Sequence, residues 1–368
     1  MLALLTISLS VTAQAQDSET QGAQDAPLEL EYTADTSFTE SSLPYEQSSL
    51  TGIINGEAAT QDEYPMAGAM LIERRYGIYS RRDWVCSSTL IAPDVVLLAA
   101  HCLDMDGVEE VEIRWSGQAD LSEFTGASDP DWPTDSVPTW DWVIHPDWQE
   151  EEVYESGVGD ARDLGLLFLD EPLDIPHAYL ISEAERHQID TGNEVEVVGW
   201  GLQIAPNAEG ASTSEQGQKR YGISHIAELG DYEFQVGAEY SDVRKCFGDS
   251  GGPTFMHVDT DREETMRLIG VTSRAYDYSY CASKGGIDAR VDVSLDWIEA
   301  EMVARCEDGT RAWCDEYGIV SAPLSLDSGS EESGAGEPTG ACAYAGGSSG
   351  VGWTWVLGLL GLFGIRRR

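Results

Sequence analysis

Short apolar runs separated by turn residues mark the middle of the chain. CSSTLIAPDVVLLAAHC, from Cys86 to Cys102, carries two such runs on either side of Ala-Pro-Asp, and LGLLFL follows Asp163. Residues 194–201, EVEVVGWG, alternate acidic residues with valine and then end in glycines. Apolar runs of this length between turn residues, and alternation with period two, are typical of β-strands. The pattern predicts strands in each of these segments.

A helical period appears near residue 300. In VDVSLDWIEAEMVARC the apolar residues Val291, Leu295, Ile298 and Met302 recur every three or four positions, as they do on one face of an α-helix. Residues 321–340 are rich in Ser, Gly, Glu and Pro, a composition typical of a flexible linker. We therefore expect the folded domain to end with this helix, near residue 305.

Both ends of the chain differ from the middle. Residues 1–15 are apolar and end in Ala-Gln-Ala, which fits a signal peptide cut by signal peptidase. Residues 16–52 are polar and too short to bury a core, so we interpret them as a propeptide or leader. The chain closes with an apolar run of about 15 residues before three arginines, which is short for a membrane-spanning helix.

Composition and charge narrow the classes of function. At 42% hydrophobic residues the chain can form a real core, so wholesale disorder is excluded. Its 66 acidic residues against 21 basic ones give a formal net charge of −45. We expect no nucleic-acid partner, because phosphate contacts need clustered Lys and Arg. The acids are interpreted as a solvated surface, and the calcium-like pair Asp104 and Asp106 as part of a turn, since the EF-hand spacing is incomplete.

The stretch KCFGDSGGP, residues 245–253, carries the strongest chemical signal. Ser250 follows an acid and is flanked by glycines, which let the backbone turn sharply and bring two N–H groups to one point. The oxyanion formed in acyl transfer needs such a pair of donors. Ser250 is therefore the predicted nucleophile.

A serine hydroxyl is a weak nucleophile near neutral pH unless a base takes its proton and a third group orients that base. His101 stands at the end of VLLAAHC, and Asp163 stands at the start of DLGLLFL. Asp160 competes for the third role, but only Asp163 directly precedes the apolar run. The residues predict a triad of His101, Asp163 and Ser250.

The order of these three residues, with AAHC, GWG and GDSGGP, resembles the trypsin and chymotrypsin family of serine endopeptidases. The resemblance implies an all-β fold over residues 53–305, with two antiparallel six-stranded barrels, a C-terminal helix and a catalytic cleft between the barrels. His101 then acts as general base and acid, Asp163 fixes its tautomer, and the N–H groups of Gly248 and Ser250 hold the oxyanion. Protein or peptide substrates are implied, with no cofactor and no metal.

Activation by cleavage is also implied by the resemblance. IINGEAAT begins at Ile53, where mature chains of the family begin, and the freed amine pairs with the acid before the nucleophile, here Asp249. Gly52 stands where Arg or Lys is usual, so a trypsin-like activator is not expected to cut here.

Four further positions are implied to contact the substrate. Counting six residues back from Ser250 puts Arg244 at the floor of the specificity pocket, and Ser273 in LIGVTS lies on the strand that pairs with substrate. Gly286 keeps the pocket wall open, and Asp288 faces the same pocket. If Arg244 points inward unpaired, an acidic substrate residue is favoured, whereas neutralisation by Asp288 makes the selectivity polar or even basic. Because an unpaired buried guanidinium is costly, we expect Arg244 to pair with Asp288 and the specificity to differ from that of trypsin.

The chain has seven cysteines and no paired C-x-x-C zinc spacing. The resemblance implies the disulfides Cys86–Cys102 and Cys246–Cys281. Cys306 and Cys314 are expected to close a third, short loop, which leaves Cys342 outside the enzyme domain. Disulfides form in oxidising compartments, so we expect export.

The apolar, small-residue ending with three arginines resembles bacterial sorting signals of the MYXO-CTERM and GlyGly-CTERM type. This implies that residues 341–368 form a C-terminal signal trimmed by a sorting protease, joined to the enzyme by a Cys loop and linker over residues 306–340. The tail then contacts the membrane before processing, and the enzyme reaches the bacterial cell envelope or the medium.

Two rival functions use the same fold. A surface binding protein could keep the protease fold without activity, but an intact triad argues against it. A secreted esterase uses the same acyl chemistry, and the pairing of Ile53 with Asp249 favours proteolysis instead.

Overall fold

The computed structural model describes residues 53–76, 79–103, 110–124, 130–201, 216–277 and 284–325. The predicted signal peptide, the leader, the turn at Asp104 and Asp106, and the C-terminal sorting signal lie outside the described residues. So do Cys281 and Cys342, and with Cys281 the predicted Cys246–Cys281 disulfide.

The first half of the domain is a closed antiparallel barrel in which the strands follow the order β2-β3-β4-β7-β6-β5. Its strands are β2 Ala67–Tyr76, β3 Tyr79–Ala92, β4 Val95–Leu98, β5 Glu110–Ser116, β6 Val137–Ile144 and β7 Gly165–Leu169. A two-residue strand, β1 Glu57–Ala58, precedes them.

The apolar runs read from the sequence form the centre of this barrel. Every residue of β4 and β7 is buried, and the two strands pair with Val95 opposite Phe168. The Phe168 ring lies 5.9 Å from that of Trp140. Burying one such side chain stabilises a fold by about 1.5–3 kcal/mol, so these two strands hold the barrel together.

The second half is also a closed barrel of six antiparallel strands, because β8 pairs with both β9 and β11; β1 extends it by pairing with β9. Its strands are β8 Glu194–Gly199, β9 Arg220–Leu229, β10 Glu233–Val236, β11 Pro253–His257, β12 Met266–Ala275 and β13 Gly286–Arg290. The expected fold of two six-stranded barrels is confirmed.

Helices are few in the described part of the chain. Helix α1 spans Leu295–Glu307 and buries Ile298 and Met302 against the core. The predicted helix began at Val291, which instead lies buried in the turn before α1. Short 3₁₀ turns cover Ala100–Cys102, Glu150–Tyr154 and Arg186–Gln188. Within the described ranges no helix is long and apolar enough to cross a membrane.

The described residues continue past residue 305, where the sequence predicts the enzyme domain to end. Residues 308–325, here called the C-terminal strap, follow α1 and pack against both barrels. Arg311 Nε lies 2.9 Å from Asp94 Oδ1, with both side chains buried, and the Glu263 N–H donates to the Pro323 carbonyl at 3.0 Å. A buried ion pair anchors this segment, which composition alone assigned in part to a linker.

Two of the three expected disulfides lie within the described residues and are confirmed. Cys86 is bonded to Cys102, and Cys306 to Cys314. The first joins β3 to the turn that carries His101, and the second closes the loop at the start of the strap.

Candidate active site

His101 is held directly after strand β4 of the first barrel. It lies in the 3₁₀ turn that follows β4, and the Cys86–Cys102 disulfide fixes the next residue to β3. Gly165, at the start of β7, makes room for this turn, since a Cβ there would lie 2.7 Å from Leu103 Cδ1 and 3.6 Å from Ala100 Cα. About a quarter of the His101 side chain, 25%, stays exposed to the cleft.

Asp163 is completely buried directly before β7 and receives three hydrogen bonds. Its Oδ2 lies 2.6 Å from His101 Nδ1 and accepts from Ser273 Oγ at 2.7 Å, and its Oδ1 accepts from the His101 N–H at 2.9 Å. The competing Asp160 is exposed on the surface. The structure therefore brings Asp163, and not Asp160, against the imidazole.

The charge of Asp163 decides the proton affinity of this pair. Burial lowers the pKa of His101, but the charge and hydrogen bond of Asp163 outweigh burial and leave that pKa above its usual range. Burial raises the pKa of Asp163, but the His101 charge and the three hydrogen bonds lower this pKa by more. The pKa of Asp163 therefore lies below its usual range. Asp163 is thus a stable anion, and His101 binds its proton more tightly than a free histidine does.

Ser250 lies in the loop between β10 and β11, in the second barrel. It is partly exposed and lines the same cavity as His101, although the structure contains no hydrogen bond between the two side chains. Hydrogen bonds between catalytic groups often tighten only when substrate is bound. His101 of the first barrel and Ser250 of the second thus line one cleft.

The glycines around Ser250 are required by the path of the loop. Gly248 has a φ of 94°, and a Cβ there would lie 2.2 Å from the Trp84 ring. Ser87 Oγ donates to the Gly248 carbonyl at 3.0 Å and fixes the loop to β3. In the described part of the chain, the N–H groups of Gly248 and Ser250 donate to no acceptor. Two such donors are what an oxyanion needs.

The GWG motif makes space for Asp249. A Cβ on Gly199 would lie 2.1 Å from the Asp249 carboxylate, and one on Gly201 would lie 2.6 Å from its Cγ. The buried carboxylate accepts from the Cys246 N–H at 2.8 Å and the Gly201 N–H at 2.9 Å. Burial nevertheless raises the pKa of Asp249 to about 7, against these two bonds and the nearby Lys245 charge.

Ile53 is fully buried beside the chain that leads to the Ser250 loop. Its neighbour Ile54 bridges to Arg244, whose N–H donates to the Ile54 carbonyl at 3.0 Å. The described residues contain no hydrogen bond between Ile53 and Asp249. In this uncut chain Ile53 is still joined to Gly52, so the pairing of a freed Ile53 amine with Asp249 stays a prediction.

The expected pairing of Arg244 with Asp288 is wrong. Lys245 Nζ lies 2.6 Å from Asp288 Oδ2, whereas the Arg244 guanidinium lies over the Tyr240 ring, 5.0 Å from its centroid. Consecutive residues of an extended chain point to opposite sides, so only one of the two cations can face Asp288. Lys245 is the one that lines the cleft cavity.

The other predicted substrate residues lie where the resemblance puts them on the chain. Ser273 is on β12 and lines the cavity, but its hydroxyl is committed to Asp163. Gly286 is the first residue of β13, and a Cβ there would lie 3.5 Å from Lys245 Cβ.

One buried pair beside the cleft was missed by the sequence reading. Arg274 Nη1 donates to Glu233 Oε1, and Nη2 lies 2.9 Å from Oε2. The same Arg274 donates to the carbonyls of Glu155 and Gly157, and Glu233 accepts from the Gly159 N–H at 2.6 Å. The pair thus ties the loop before Asp163 to β12. The only sequence signal was an arginine directly after Ser273.

Two cysteine sulfurs lie close to His101 but are not available to a metal ion. Cys86, His101 and Cys102 bring sulfur and nitrogen atoms within 4.8 Å of one another. The two sulfurs form a disulfide, however, so they offer no thiolate ligands.

Comparison with known proteins agrees with this geometry. Serine protease Hayan of Drosophila melanogaster is 28% identical over 272 residues, which cover 67% of this chain and 38% of that protein. Melanization protease 1 of the same organism is 25% identical over 280 residues, covering 68% of this chain and 66% of that protein. The chain thus spans less than two thirds of the length of either relative. Residues 53–298 match the sequence profile of the trypsin family, and the chain belongs to that family.

Proposed function

We propose that this chain is a serine endopeptidase that hydrolyses peptide bonds through His101, Asp163 and Ser250. The observation that carries the proposal is the buried Asp163, held by three donors against His101, in the same cleft as Ser250 and the N–H groups of Gly248 and Ser250. No other reaction class uses all of these parts together as directly as acyl transfer does.

Acylation starts from the neutral histidine. The Nδ1–H of His101 donates to Asp163, which leaves a lone pair on Nε2 to accept the Ser250 proton as Oγ attacks the substrate carbonyl carbon. The N–H groups of Gly248 and Ser250 receive the negative oxygen of the tetrahedral intermediate. The imidazolium then gives its proton to the leaving amine, and the acyl group stays on Ser250.

Deacylation repeats the same proton path with water. His101 Nε2 takes a proton from the attacking water and returns one to Ser250 Oγ when the second tetrahedral intermediate collapses. Asp163 stays ionised throughout, because its hydrogen bonds and the histidine charge hold its pKa low.

Cleavage after Gly52 activates the enzyme in this proposal. The Ile53 side chain is already buried, and Asp249 lacks a cationic hydrogen-bond partner, with a pKa of about 7. A new amine at Ile53 supplies the missing cation, and the pair then holds the Ser250 loop. The chain is thus made as a zymogen.

The proposal places the enzyme outside the cytoplasm. The apolar start and the cysteines in the disulfides Cys86–Cys102 and Cys306–Cys314 support export through signal peptidase. The apolar ending with three arginines supports a bacterial sorting signal that a second protease trims at the envelope.

The test is hydrolysis of a protein substrate such as casein by the secreted protein, with N-terminal sequencing of the active form. We expect active protein to begin at Ile53 and to cleave internal peptide bonds, and Ser250→Ala to be inactive. Cleavage of simple esters without any peptide cleavage would support the esterase instead. Active protein that begins upstream of Ile53 would rule out the activation step alone.

A further inference from the structure

The cavity at the cleft extends beyond the groups that do the chemistry. It has a volume of about 470 Å³, and its lining includes Lys245, Cys246 and Ala275 beside His101 and Ser250, with Arg274 and the exposed Glu150 also on its wall. The bond to be cut must lie at Ser250, so the substrate side chain next to that bond is the group that enters the cavity. This inference rests on the proposed peptidase function.

Lys245 reaches the cavity with all of its hydrogen-bonding capacity already used. Its Nζ donates to Asp288 Oδ1 at 2.8 Å, to Oδ2 at 2.6 Å and to Thr254 Oγ1. An ammonium has three N–H donors, and these are its three acceptors. The Thr254 hydroxyl donates in turn to Asp288, so the three side chains form a closed set.

The set is buried as well as closed. Lys245 is 1% exposed, and Asp288 and Thr254 are 0% exposed. If Lys245 and Asp288 were separated, each buried charge would lose the stabilisation that the opposite charge supplies. The pair is therefore costly to break. The two opposite charges therefore present a nearly neutral wall to the cavity.

Arg244 does not change this balance. Its guanidinium lies over Tyr240, and its Nε donates to the Asp242 carbonyl at 3.3 Å, on the other side of the chain from Lys245. Arg244 does not line the cavity. The cation one position before Lys245 is thus a natural control for it.

We propose that the cavity accepts an uncharged, apolar substrate side chain on the amino side of the cleaved bond, and that the Lys245–Asp288 pair sets this preference. A substrate Arg or Lys meets the Lys245 ammonium, while the Asp288 carboxylate is occupied. A substrate Asp or Glu has to displace Asp288 to gain a partner. A neutral side chain needs neither change.

The cavity has room for a large neutral group. At Gly286 an added Cβ would make only ordinary contacts, at 3.5 Å from Lys245 Cβ and 3.5 Å from the Arg274 carbonyl. Together with the cavity volume of about 470 Å³, this leaves room beside Lys245 for a side chain as large as that of Phe. Leu, Met and Phe are the side chains that fit this description.

A panel of peptide amides that differ only at this one residue tests the preference. With the activated wild-type enzyme we expect kcat/KM for Leu, Met and Phe to exceed that for Arg, Lys and Glu by on the order of 100-fold. Equal or faster cleavage after Arg or Lys, or after Glu, overturns the proposal without the need for any variant.

Three substitutions assign the preference to the pair. Lys245→Met frees the Asp288 carboxylate and should raise cleavage after Arg and Lys relative to Leu by about tenfold or more. Asp288→Asn frees the ammonium and should do the same for Glu. Arg244→Met removes the same charge from the neighbouring position and should leave the ratios within about twofold. A change of preference in Arg244→Met and none in Lys245→Met would overturn the assignment.

Titration with a fluorophosphonate separates the two levels of failure. Rates are divided by the fraction of molecules that react, so a variant that folds poorly does not mimic a change in preference. No reaction with the reagent and no peptide cleavage would refute the peptidase itself. Reaction and cleavage with a charged preference would refute only the specificity.

Discussion

The two barrels close by the same antiparallel pairing, yet their interiors differ. In the first, β4 and β7 are buried along their whole length and contain only apolar residues and one glycine. The second buries charged groups near the Ser250 loop, including Lys245, Asp249 and Asp288. Strands β4 and β7 of the first barrel therefore form an apolar scaffold that positions His101 and Asp163, whereas the charged groups buried in the second half shape the Ser250 loop and the cavity.

The difference matters because the two kinds of interior have different energies. Apolar burial stabilises a fold in proportion to the area removed from water. A buried ion pair roughly offsets its own desolvation cost, so it is a weak source of stability. Stability therefore does not explain why charged groups are buried in the second half. Their effect on the Ser250 loop and on the substrate explains it better.

The largest expected effect tests whether the two barrels act as one catalytic unit. His101→Ala in the first barrel and Ser250→Ala in the second should each lower kcat by about 10⁵ to 10⁶, and the double variant should lose no more. The reason is that one proton transfer needs both residues. Steady-state kinetics of the activated proteins on one peptide measures this, and additive losses would show that the residues act separately.

The next effect concerns stability and compares the two interiors directly. In a Ser250→Ala background, which prevents self-digestion, Phe168→Ala should lower the free energy of unfolding by about 3–5 kcal/mol by leaving a cavity. Asp288→Asn should cost about as much, because Lys245 is left buried without its carboxylate.

A double variant distinguishes the two causes. Adding Lys245→Met to Asp288→Asn removes the stranded charge and should recover most of the loss in urea unfolding. If the double variant were as unstable as Asp288→Asn alone, the loss would come from packing, and the contrast between the interiors would disappear.

The same contrast explains what the sequence could and could not predict. The apolar runs of β4 and β7 and the alternation of β8 identified strands, because each side of a strand has one environment. The triad residues stand at the ends of such runs. Lys245 and Arg244 lie in a loop with no period, so only the structure decides which of them faces Asp288.

The packing of the C-terminal strap could not be predicted from the sequence, for a related reason. The strap's residues are mixed in character, with Trp313, Ile319 and Val320 among polar and small ones, and Arg311 pairs with a buried carboxylate, Asp94, more than two hundred positions earlier in the chain. No local pattern reports a partner at that distance. A Cys-bounded loop with Arg311 and Trp313 was the available hint.

A smaller effect follows from Asp249 in the uncut chain. Its folded pKa of about 7 lies above the unfolded value of about 3.9, so the folded state binds this proton more tightly. The stabilisation of the folded state by this proton is fully present below pH 4. It is lost as the pH rises through 7, and the loss reaches up to about 4 kcal/mol.

Urea unfolding of the uncut Ser250→Ala protein from pH 4 to pH 8 measures this contribution. Asp249→Asn carries no such proton, so its stability relative to the parent should rise with pH across that window. A constant difference between the two proteins would mean that Asp249 already has a cationic partner before cleavage.

The smallest expected effect is a shift in the pH at which kcat/KM falls on the acid side. His101 must be neutral to accept the Ser250 proton, and Asp163 raises the pKa of His101 above its usual range. The kcat/KM of the activated enzyme should therefore fall as the pH drops through a value above about 6.5. A midpoint below that value would mean that Asp163 does not stabilise the imidazolium in solution.

The most direct test of the central claim is labelling of the activated protein with a fluorophosphonate, followed by mapping of the modified residue. Among the described residues, the serines Ser250 and Ser273 line the cleft, and Ser273 Oγ lies 2.7 Å from Asp163. We predict a single label on Ser250, which is lost in His101→Ala and kept in Ser273→Ala. A label on Ser273, or labelling of Ser250 at full rate without His101, would contradict the account.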